Sequence, residues 1–374
     1  MRRVLSGLLV LLMFLTLGAL AEDEEVSIWD LTGGTPNPSA TPGPVSPSPT
    51  PTFAPSADGS ILLTMSFTGD VTIGGDVRKS KSIFDQELDK QKGDLTFPFR
   101  NVKDIFAQDD MTLVNFEGTL TTAPINSNRR ENTYLFSAPP EYVQILTSGS
   151  VEAVSLENNH VMDHGSAGYV QTQETLRNAG IVYSGGGELG VYEVKGVQIA
   201  MLSYQTFDQY PALFEQVPMD VAAAKAQYPI VIVSFHWGAE LDYKPNDNQQ
   251  TLGKMTIDAG ADLVVGHHSH RINPIEIYKG KYICYSLGNF SFAGNTKPRD
   301  MSTYIFQTRF RVMNGTATPE GFRIIPCRIS SRADYNDFAP TPYESDSSIQ
   351  SLLNVLKDNG RSLKNPVPEY PLDW

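Results

Sequence analysis

Residues 266–270, with the sequence GHHSH, directly follow the mostly apolar run ADLVV at residues 261–265. The run predicts a buried strand that ends in a histidine-rich turn. Every histidine of the 374-residue chain lies at or just after the end of such a run: His160, His164, His236, His267, His268 and His270. Neutral imidazole is the commonest metal ligand, and sites gather at the carboxyl ends of strands, so this distribution indicates a metal site. The alternative is core histidines satisfied by hydrogen bonds.

Carboxylates and amides follow the other predicted strands in the same way. The strand ends carry Asp70, then Asn115 and Glu117, Asn159 and His160, His236 and Glu240, and His268 and His270. Oxygen and imidazole ligands without thiolate suit Mn²⁺, Fe or Zn²⁺ better than a structural zinc site. One ion rarely needs so many groups. Two ions about 3.5–4 Å apart, bridged by one carboxylate, would use them all in a phosphoryl or related displacement.

Such a site needs a sheet whose strands end at one edge. Between residue 61 and about residue 330, short apolar runs alternate with helical segments and glycine-containing turns, which is typical of one large α/β domain. The pattern predicts strands at 61–67, 111–114, 151–156, 230–235, 261–265, 301–313 and 320–330, helices at 99–108, 139–146, 166–178, 247–258 and 347–357, and hairpins at 190–204 and 274–285.

The first residues have the composition of a targeting segment. Arg2 and Arg3 precede an apolar stretch and the sequence Ala19-Leu20-Ala21, with small residues at 19 and 21, the pattern of a signal peptide over 1–21. The stretch is shorter than the roughly 20 residues of a membrane span, and an uncleaved anchor is the alternative. The prolines, serines and threonines of residues 22–58 predict an extended linker. We expect an extracytoplasmic protein, secreted or envelope-associated, with its main domain at 59–330 and an extension carrying one helix at 331–374.

Charge and cysteine content exclude some classes of function. The formal net charge is −13, and loss of residues 1–21 would bring it to about −15. Nucleic-acid binding needs clustered lysines and arginines, which the sequence lacks, so no nucleic-acid partner is expected. Cys284 and Cys327 lack the CxxC spacing of a zinc-thiolate site. In an exported protein they could form one disulfide, or they could be buried thiols in neighbouring strands.

Six motifs in this order and spacing resemble the CapA family of capsule and poly-γ-glutamate synthesis proteins: FTGDVTIGGD, NFEGTLT, SLENNHVMDHG, SFHWGAEL, GHHSHRINPIE and YSLGNFSF. They span about residues 61–295. The CapA family is in turn similar to the calcineurin-like metallophosphoesterases. The resemblance therefore implies an α/β (α+β) fold, a four-layer α-β-β-α sandwich in which two sheets lie between helices.

The resemblance also implies roles for individual residues. By position, the metal ligands would be Asp70, Glu117, Asn159, His236, His268 and His270, with Glu117 as the bridge. His160 would lie near the leaving group, and Glu240, part of the CapA pattern together with Asn289, is a second catalytic candidate. Thr72 stands where phosphoesterases have a metal-binding histidine, so one divalent ion (Mn, Zn or Fe) is an alternative to two. Ser269 replaces the usual proline of CapA sequences and should change only the turn.

Several neighbouring residues have simpler explanations. His164 is expected to cap the helix that follows it, and His267 to lie behind the ligands rather than among them. Asp76 and Asp163 could be ordinary turn or cap residues. Trp237 could line a substrate groove, but a partly buried aromatic side chain at a strand end is equally expected.

Three functions follow from the resemblance and the site. The first is a role in the biosynthesis, export or attachment of an anionic capsule polymer such as poly-γ-glutamate; its partners would be the polymer or its precursor and membrane-bound synthase or export components. The second is a metal-dependent hydrolase of phosphoesters or amides in the envelope, with His160 as the general acid. The third is a non-catalytic module that holds a carboxylate-rich polymer through the metal, because like charges repel without cations. Whether the protein is an enzyme stays open among them.

Overall fold

The structure is a computed structural model that describes residues 58–76, 81–125 and 134–374. The predicted signal peptide and all but the last residue of the predicted linker lie outside this range. In the described part of the chain, no helix combines the length and the apolar character needed to cross a membrane.

Strands make up most of the regular structure. In chain order they are β1 Ile61–Thr72, β2 Gly75–Asp76, β3 Met111–Phe116, β4 Thr119–Leu120, β5 Phe136–Ala138, β6 Ala153–Ser155, β7 Val182–Ser184, β8 Gly190–Val194, β9 Val197–Gln205, β10 Ile230–His236, β11 Leu263–His267, β12 Ile275–Tyr278, β13 Lys281–Cys284, β14 Asn289–Phe292, β15 Ser302–Met313, β16 Thr316–Arg328 and β17 Thr341–Pro342. The helices are α1 Ile83–Lys90, α2 Lys103–Phe106, α3 Val143–Ser148, α4 Gly165–Asn178, α5 Tyr210–Lys225, α6 Asp247–Asp258 and α7 Asp346–Gly360. Short 3₁₀ turns, Pro140–Tyr142 and Phe207–Gln209, precede α3 and α5.

Two large sheets organise these strands. The eight-stranded sheet has the order β17-β16-β15-β1-β3-β6-β7, with β14 also paired to β1, and the six-stranded sheet has the order β12-β13-β11-β10-β9-β8. A small third sheet joins β2, β5 and β4. Within the large sheets, β1, β3, β6 and β7 are parallel, as are β9, β10, β11 and β13. Parallel strands bring their carboxyl ends to one edge, which is where the site residues lie.

The apolar faces of the two large sheets share one core. Leu63 and Phe67 of β1 belong to the same buried cluster as Ile230 and Ile232 of β10. The alternate residues of β10, such as Val233, join a second cluster with helices α5 and α6 on the outer face. Because β10 is covered on both faces, all of its side chains are buried, which explains its uninterrupted apolar run. Helix α4 packs beside β7 at the edge of the other sheet. The predicted mixed α/β fold with two sheets flanked by helices is confirmed.

Local sequence explains where several helices begin. Asn246 caps α6. Its side chain accepts a hydrogen bond from the Gln249 N–H, and the Gln249 side chain accepts one from the Asn246 N–H. Ser82 caps α1 through the Asp85 N–H. His164 occupies the position before α4 but makes no capping bond with its side chain. Its Nδ1 instead lies 2.6 Å from the carbonyl oxygen of Ala123, so the predicted capping role is wrong.

Most predicted elements are present, with shifted ends. The predicted helix at 99–108 is reduced to α2, and β6 is shorter than the predicted strand at 151–156. Helix α5 was not predicted, because Pro218 inside it reads as a helix breaker. Cys284 and Cys327 are free, buried thiols, as the second alternative for this pair expected, but their strands β13 and β16 belong to different sheets and are not neighbours.

The last residues join both sheets. The Ile277 N–H of β12 donates to the carbonyl of Asn365 at 2.9 Å, and the Ile324 N–H of β16 donates to the carbonyl of Pro371 at 2.8 Å. Tyr370 belongs to the core between the sheets. This segment, residues 365–371, is called the C-terminal strap below.

Candidate metal centre

The site forms where β1, β3, β10 and β11 end side by side. Strand pairing places Asp70 opposite Asn115 in one sheet and His236 opposite His267 in the other. The pairing of β1 with β3 shifts in register between Phe67 and Asp70. Residues paired in adjacent strands point to the same face, so these side chains meet between the two sheets.

A glycine permits the close approach of the chain at Asp70. The Asp70 N–H donates to the carbonyl of Gly288 at 2.9 Å. A β-carbon on Gly69 would lie only 1.8 Å from that carbonyl oxygen, so any side chain at position 69 would push the two segments apart. The TGD sequence at the end of β1 therefore positions Asp70 and keeps the lead into β14 in contact with β1.

Asp70 is completely buried and has several partners. Its Oδ1 accepts a hydrogen bond from Asn115 Nδ2 at 2.9 Å and lies 3.6 Å from His267 Nδ1. Its Oδ2 lies 3.3 Å from His270 Nδ1. Burial alone would raise the pKa of Asp70, but the hydrogen bond and charge of His270 outweigh burial and lower it. Asp70 is therefore held as a carboxylate.

Glu117 is equally buried and has no hydrogen-bond partner on either carboxylate oxygen in the described structure. The nearest basic group is His160, with Nε2 at 3.7 Å from Oε1. Burial, followed by the negative charge of Asp70, raises the pKa of Glu117 well above its ordinary value. A buried carboxyl group without partners is costly, and a bound cation would remove that cost.

Two further histidines lie beside these carboxylates. His236 Nε2 lies 2.9 Å from Asn159 Oδ1 and 3.0 Å from His268 Nδ1. Burial, reinforced by the neighbouring imidazoles, lowers the pKa of His236 well below its ordinary value and that of His268 to about 4. Both rings are therefore neutral near pH 7, as metal ligation requires.

His270 has a different electrostatic environment. Its Nδ1 lies 2.8 Å from Asn289 Oδ1 and close to Asp70. Burial opposes protonation, but the Asp70 hydrogen bond and the charges of Glu117 and Asp70 raise its pKa to about 9. A cation bound between these carboxylates would compete with that proton.

His160 contacts Asp163, which the sequence analysis treated as an ordinary turn or cap residue. Its Nδ1 lies 2.8 Å from Asp163 Oδ2, which also accepts a hydrogen bond from the Phe136 N–H at 2.7 Å. The opposite ring nitrogen, Nε2, faces Glu117. An imidazole oriented by a carboxylate is the usual arrangement of a general acid or base.

Backbone strain and aromatic rings surround the cluster. His268 and His270 have φ angles of 88° and 54°, and such left-handed conformations cost about 1–3 kcal/mol each in non-glycine residues. Three phenylalanine rings cover the imidazoles: Phe136 lies 4.5 Å from His160, Phe292 4.8 Å from His270 and Phe207 4.8 Å from His268, measured between ring centroids. Apolar rings beside a site lower the local dielectric, which strengthens electrostatic interactions there.

The residues present fit a divalent cation. One ligand atom each from Asp70, Glu117 and His236 can be chosen so that all three lie within 4.8 Å of one another. The donors are carboxylate, amide and neutral imidazole groups, which suit Mn²⁺, Fe or Zn²⁺. The Glu117 oxygens among these ligand atoms have no hydrogen-bond partner. No lysine or arginine of the described ranges forms an ion pair with Asp70 or Glu117.

The structure brings seven of the eight predicted site residues together: Asp70, Glu117, Asn159, His160, His236, His268 and His270. Glu240 differs, because its side chain is exposed at the rim and acts on His268 and Glu117 only through its charge. Sequence reasoning missed Asp163 as the partner of His160. The spacing of three residues between them was the only signal for it.

The comparisons with known proteins concern nearly the whole domain. The family model described as bacterial capsule synthesis protein PGA_cap matches residues 64–293. The PGA biosynthesis protein CapA of Bacillus subtilis (strain 168) is 31% identical over 329 residues, covering 81% of this chain and 80% of that protein. The capsule biosynthesis protein CapA of Bacillus anthracis is 29% identical over 282 residues, covering 68% of this chain and 65% of that protein.

Solved structures are more distant. The calcineurin-like phosphoesterase YfkN from Bacillus subtilis shares 14% sequence identity and a TM-score of 0.42, over 80% of this chain and 99% of that chain. The assignment therefore depends on the family model and the sequence relatives, which agree with the six motifs. The chain belongs to the PGA_cap family of bacterial capsule synthesis proteins.

Proposed function

We propose that this protein performs a metal-dependent hydrolytic or transfer step in the biosynthesis, export or attachment of an anionic capsule polymer such as poly-γ-glutamate. Family membership supports the biological process. The cluster of buried carboxylates and neutral imidazoles supports the chemistry. The site of action is the outside of the cell or its envelope, and membrane-bound synthase or export components are its partners.

The observation that carries the proposal is Glu117. A carboxyl side chain that is fully buried and has no hydrogen-bond partner destabilises a fold unless a ligand binds it. Asp70 and His236 are within reach of the same point. We assign Asp70, Glu117, Asn159, His236, His268 and His270 as the groups that would hold one or two divalent ions.

A divalent cation bound there would supply Lewis acidity and would favour the deprotonated form of a nucleophile at neutral pH. The protein supplies the rest. His160, oriented through Nδ1 by Asp163, presents Nε2 toward the cluster and can donate a proton to a leaving group. The phenylalanine rings exclude bulk water from the reacting groups.

The substrate is an anionic polymer or its precursor. A chain with a formal net charge of −13 repels such a substrate, so the cations at the site would also attract its carboxylate or phosphate groups. Glu240 at the rim adds negative charge near the entrance, and it is the second catalytic candidate.

The test uses purified protein loaded with Mn²⁺ or Zn²⁺ and a panel of phosphoesters and γ-glutamyl amides. We expect turnover that EDTA abolishes. Asp163→Asn should lower kcat by about 100-fold, the lower end of a general acid's contribution, while bound metal stays at the wild-type level. A protein that binds metal and polymer in an EDTA-sensitive manner without any turnover would instead be a binding module. Unchanged surface polymer after gene deletion would contradict the proposed process itself.

A further inference from the structure

His267 is the least satisfied histidine of the cluster. Its side chain is completely buried, and neither ring nitrogen has a hydrogen-bond partner in the described structure. The other four imidazoles of the cluster each have a polar partner within 3.0 Å: Asp163 for His160, Asn159 for His236, His236 for His268, and Asn289 for His270. A buried polar group without a partner costs about 1–3 kcal/mol, so His267 needs a specific explanation.

The position of His267 supplies that explanation. Strand pairing sets it directly beside His236, so both side chains point into the space between the two sheets. Its Nδ1 lies 3.6 Å from Asp70 Oδ1, too far for a hydrogen bond and close enough for both atoms to bind one cation. Burial lowers the pKa of His267 to about 4, which leaves the ring neutral.

We propose that His267 is a metal ligand that binds a divalent cation together with Asp70. This inference depends on the proposed metal centre and extends its ligand set by one nitrogen. It is an alternative to the expectation that His267 lies behind the ligands. With His270, whose Nδ1 lies 3.3 Å from Asp70 Oδ2, His267 would provide a second imidazole beside this carboxylate.

Co²⁺ alone is the probe, because its visible absorption reports ligand type and number. Full-length protein freed of metal is titrated with Co²⁺, and bound metal is counted by elemental analysis. The variants are His267→Ala and the smaller change His267→Asn. His164→Ala is the matched control, since His164 is also a buried histidine after a strand end but bonds Ala123 outside the cluster.

We expect both His267 variants to bind one ion fewer, or to bind the affected ion at least about 100-fold more weakly. Changes in groups that only orient ligands already cost 10–100-fold. The Co²⁺ spectrum should change, and the control should match the wild type. Wild-type stoichiometry, affinity and spectrum in both His267 variants would overturn the proposal. Absence of Co²⁺ binding by the wild type would instead contradict the metal centre.

Two further measurements separate ligation from a purely structural role. Thermal unfolding in EDTA should differ little between the wild type and His267→Asn, whereas the increase in Tm produced by Co²⁺ should shrink in the variant. Equal losses of stability with and without Co²⁺ would indicate a structural histidine. If both variants fail to fold, histidine ¹⁵N shifts of the wild type on addition of Zn²⁺ decide, because a ring nitrogen of His267 must shift if it binds the ion.

Discussion

Acidic side chains occur at both edges of the two large sheets, and their surroundings differ. At the amino edge, Asp110, Glu152 and Asp262 each directly precede a parallel strand. Each carboxylate accepts the backbone N–H of a residue in the neighbouring strand: Thr64 at 2.9 Å for Asp110, Thr112 at 2.8 Å for Glu152 and Val231 at 2.9 Å for Asp262. These acids complete the hydrogen bonding of the sheet where its ladder begins.

Positive charge also distinguishes the two edges. Asp262 contacts Lys225 Nζ at 2.6 Å and Lys281 Nζ at 3.0 Å. At the carboxyl edge, Glu117 accepts no hydrogen bond within the described residues. An acid that the fold itself satisfies has a structural role, whereas an acid that the fold leaves unsatisfied requires a ligand. The predictions below test this difference between the edges.

Glu117→Gln should have the largest effect, and on metal rather than on folding. The variant keeps the shape but removes the charge that holds cations together, so if the wild type binds two ions, the variant should bind one or none. The raised pKa of Glu117 favours its neutral form without metal, so the amide should leave the metal-free fold unchanged. Elemental analysis and circular dichroism check both statements. Wild-type metal content in this variant would end the proposed bridging role.

Asp262→Asn should have the opposite profile. Removing one partner of a buried ion pair costs about 3–5 kcal/mol. The side chains of Lys225 and Lys281 remain 30% and 23% exposed and can partly rehydrate, so we expect about 2–3 kcal/mol less stability in urea unfolding. Metal content should not change. Loss of metal in Asp262→Asn would show that the two edges are not independent.

Glu152→Gln should change the pH dependence of stability. Burial raises the pKa of Glu152 to about 7, so the folded state keeps the proton while the unfolded chain ionises above pH 4.5. This group therefore destabilises the wild type progressively between about pH 4.5 and 7, by about 3 kcal/mol in all. The difference in unfolding free energy between variant and wild type should grow in favour of the variant across that interval. A constant difference would contradict the buried, protonated state.

Lys281→Met should have the smallest effect. Lys225 remains to neutralise Asp262, and the long apolar side chain preserves packing along the lysine stem. We expect a loss of about 0.5–1 kcal/mol, in the range of a partly exposed ion pair. A loss as large as that of Asp262→Asn would mean that both lysines are needed at the amino edge.

Local sequence singled out most of the residues that the structure brings together, because they lie at or near the ends of buried strands. The run before His236 and the run before His267 could be recognised without tertiary information. Glu240 could not be placed, since it follows a turn rather than a strand and reaches only the rim. Asp163 and His267 required packing information, because their importance depends on which partner atoms lie nearby.

The same limits apply to the fold. Helix α6 was predicted with its observed bounds, since its capping box and polar start are local signals. Helix α5 was not, because Pro218 disfavours a helix locally and burial of Leu213 and Val217 against the six-stranded sheet overrides that preference. The sequence therefore indicates which secondary structure each segment favours locally. Packing against the sheets determines where a different structure forms.

The C-terminal strap affects the order in which the protein can be completed. A chain made from its amino end contains all the strands of both sheets before Asn365 and Pro371 exist to bond β12 and β16. Until then, these backbone donors and the core position of Tyr370 are open to other chains. We therefore expect the protein to be more prone to misassembly before the strap docks than after it.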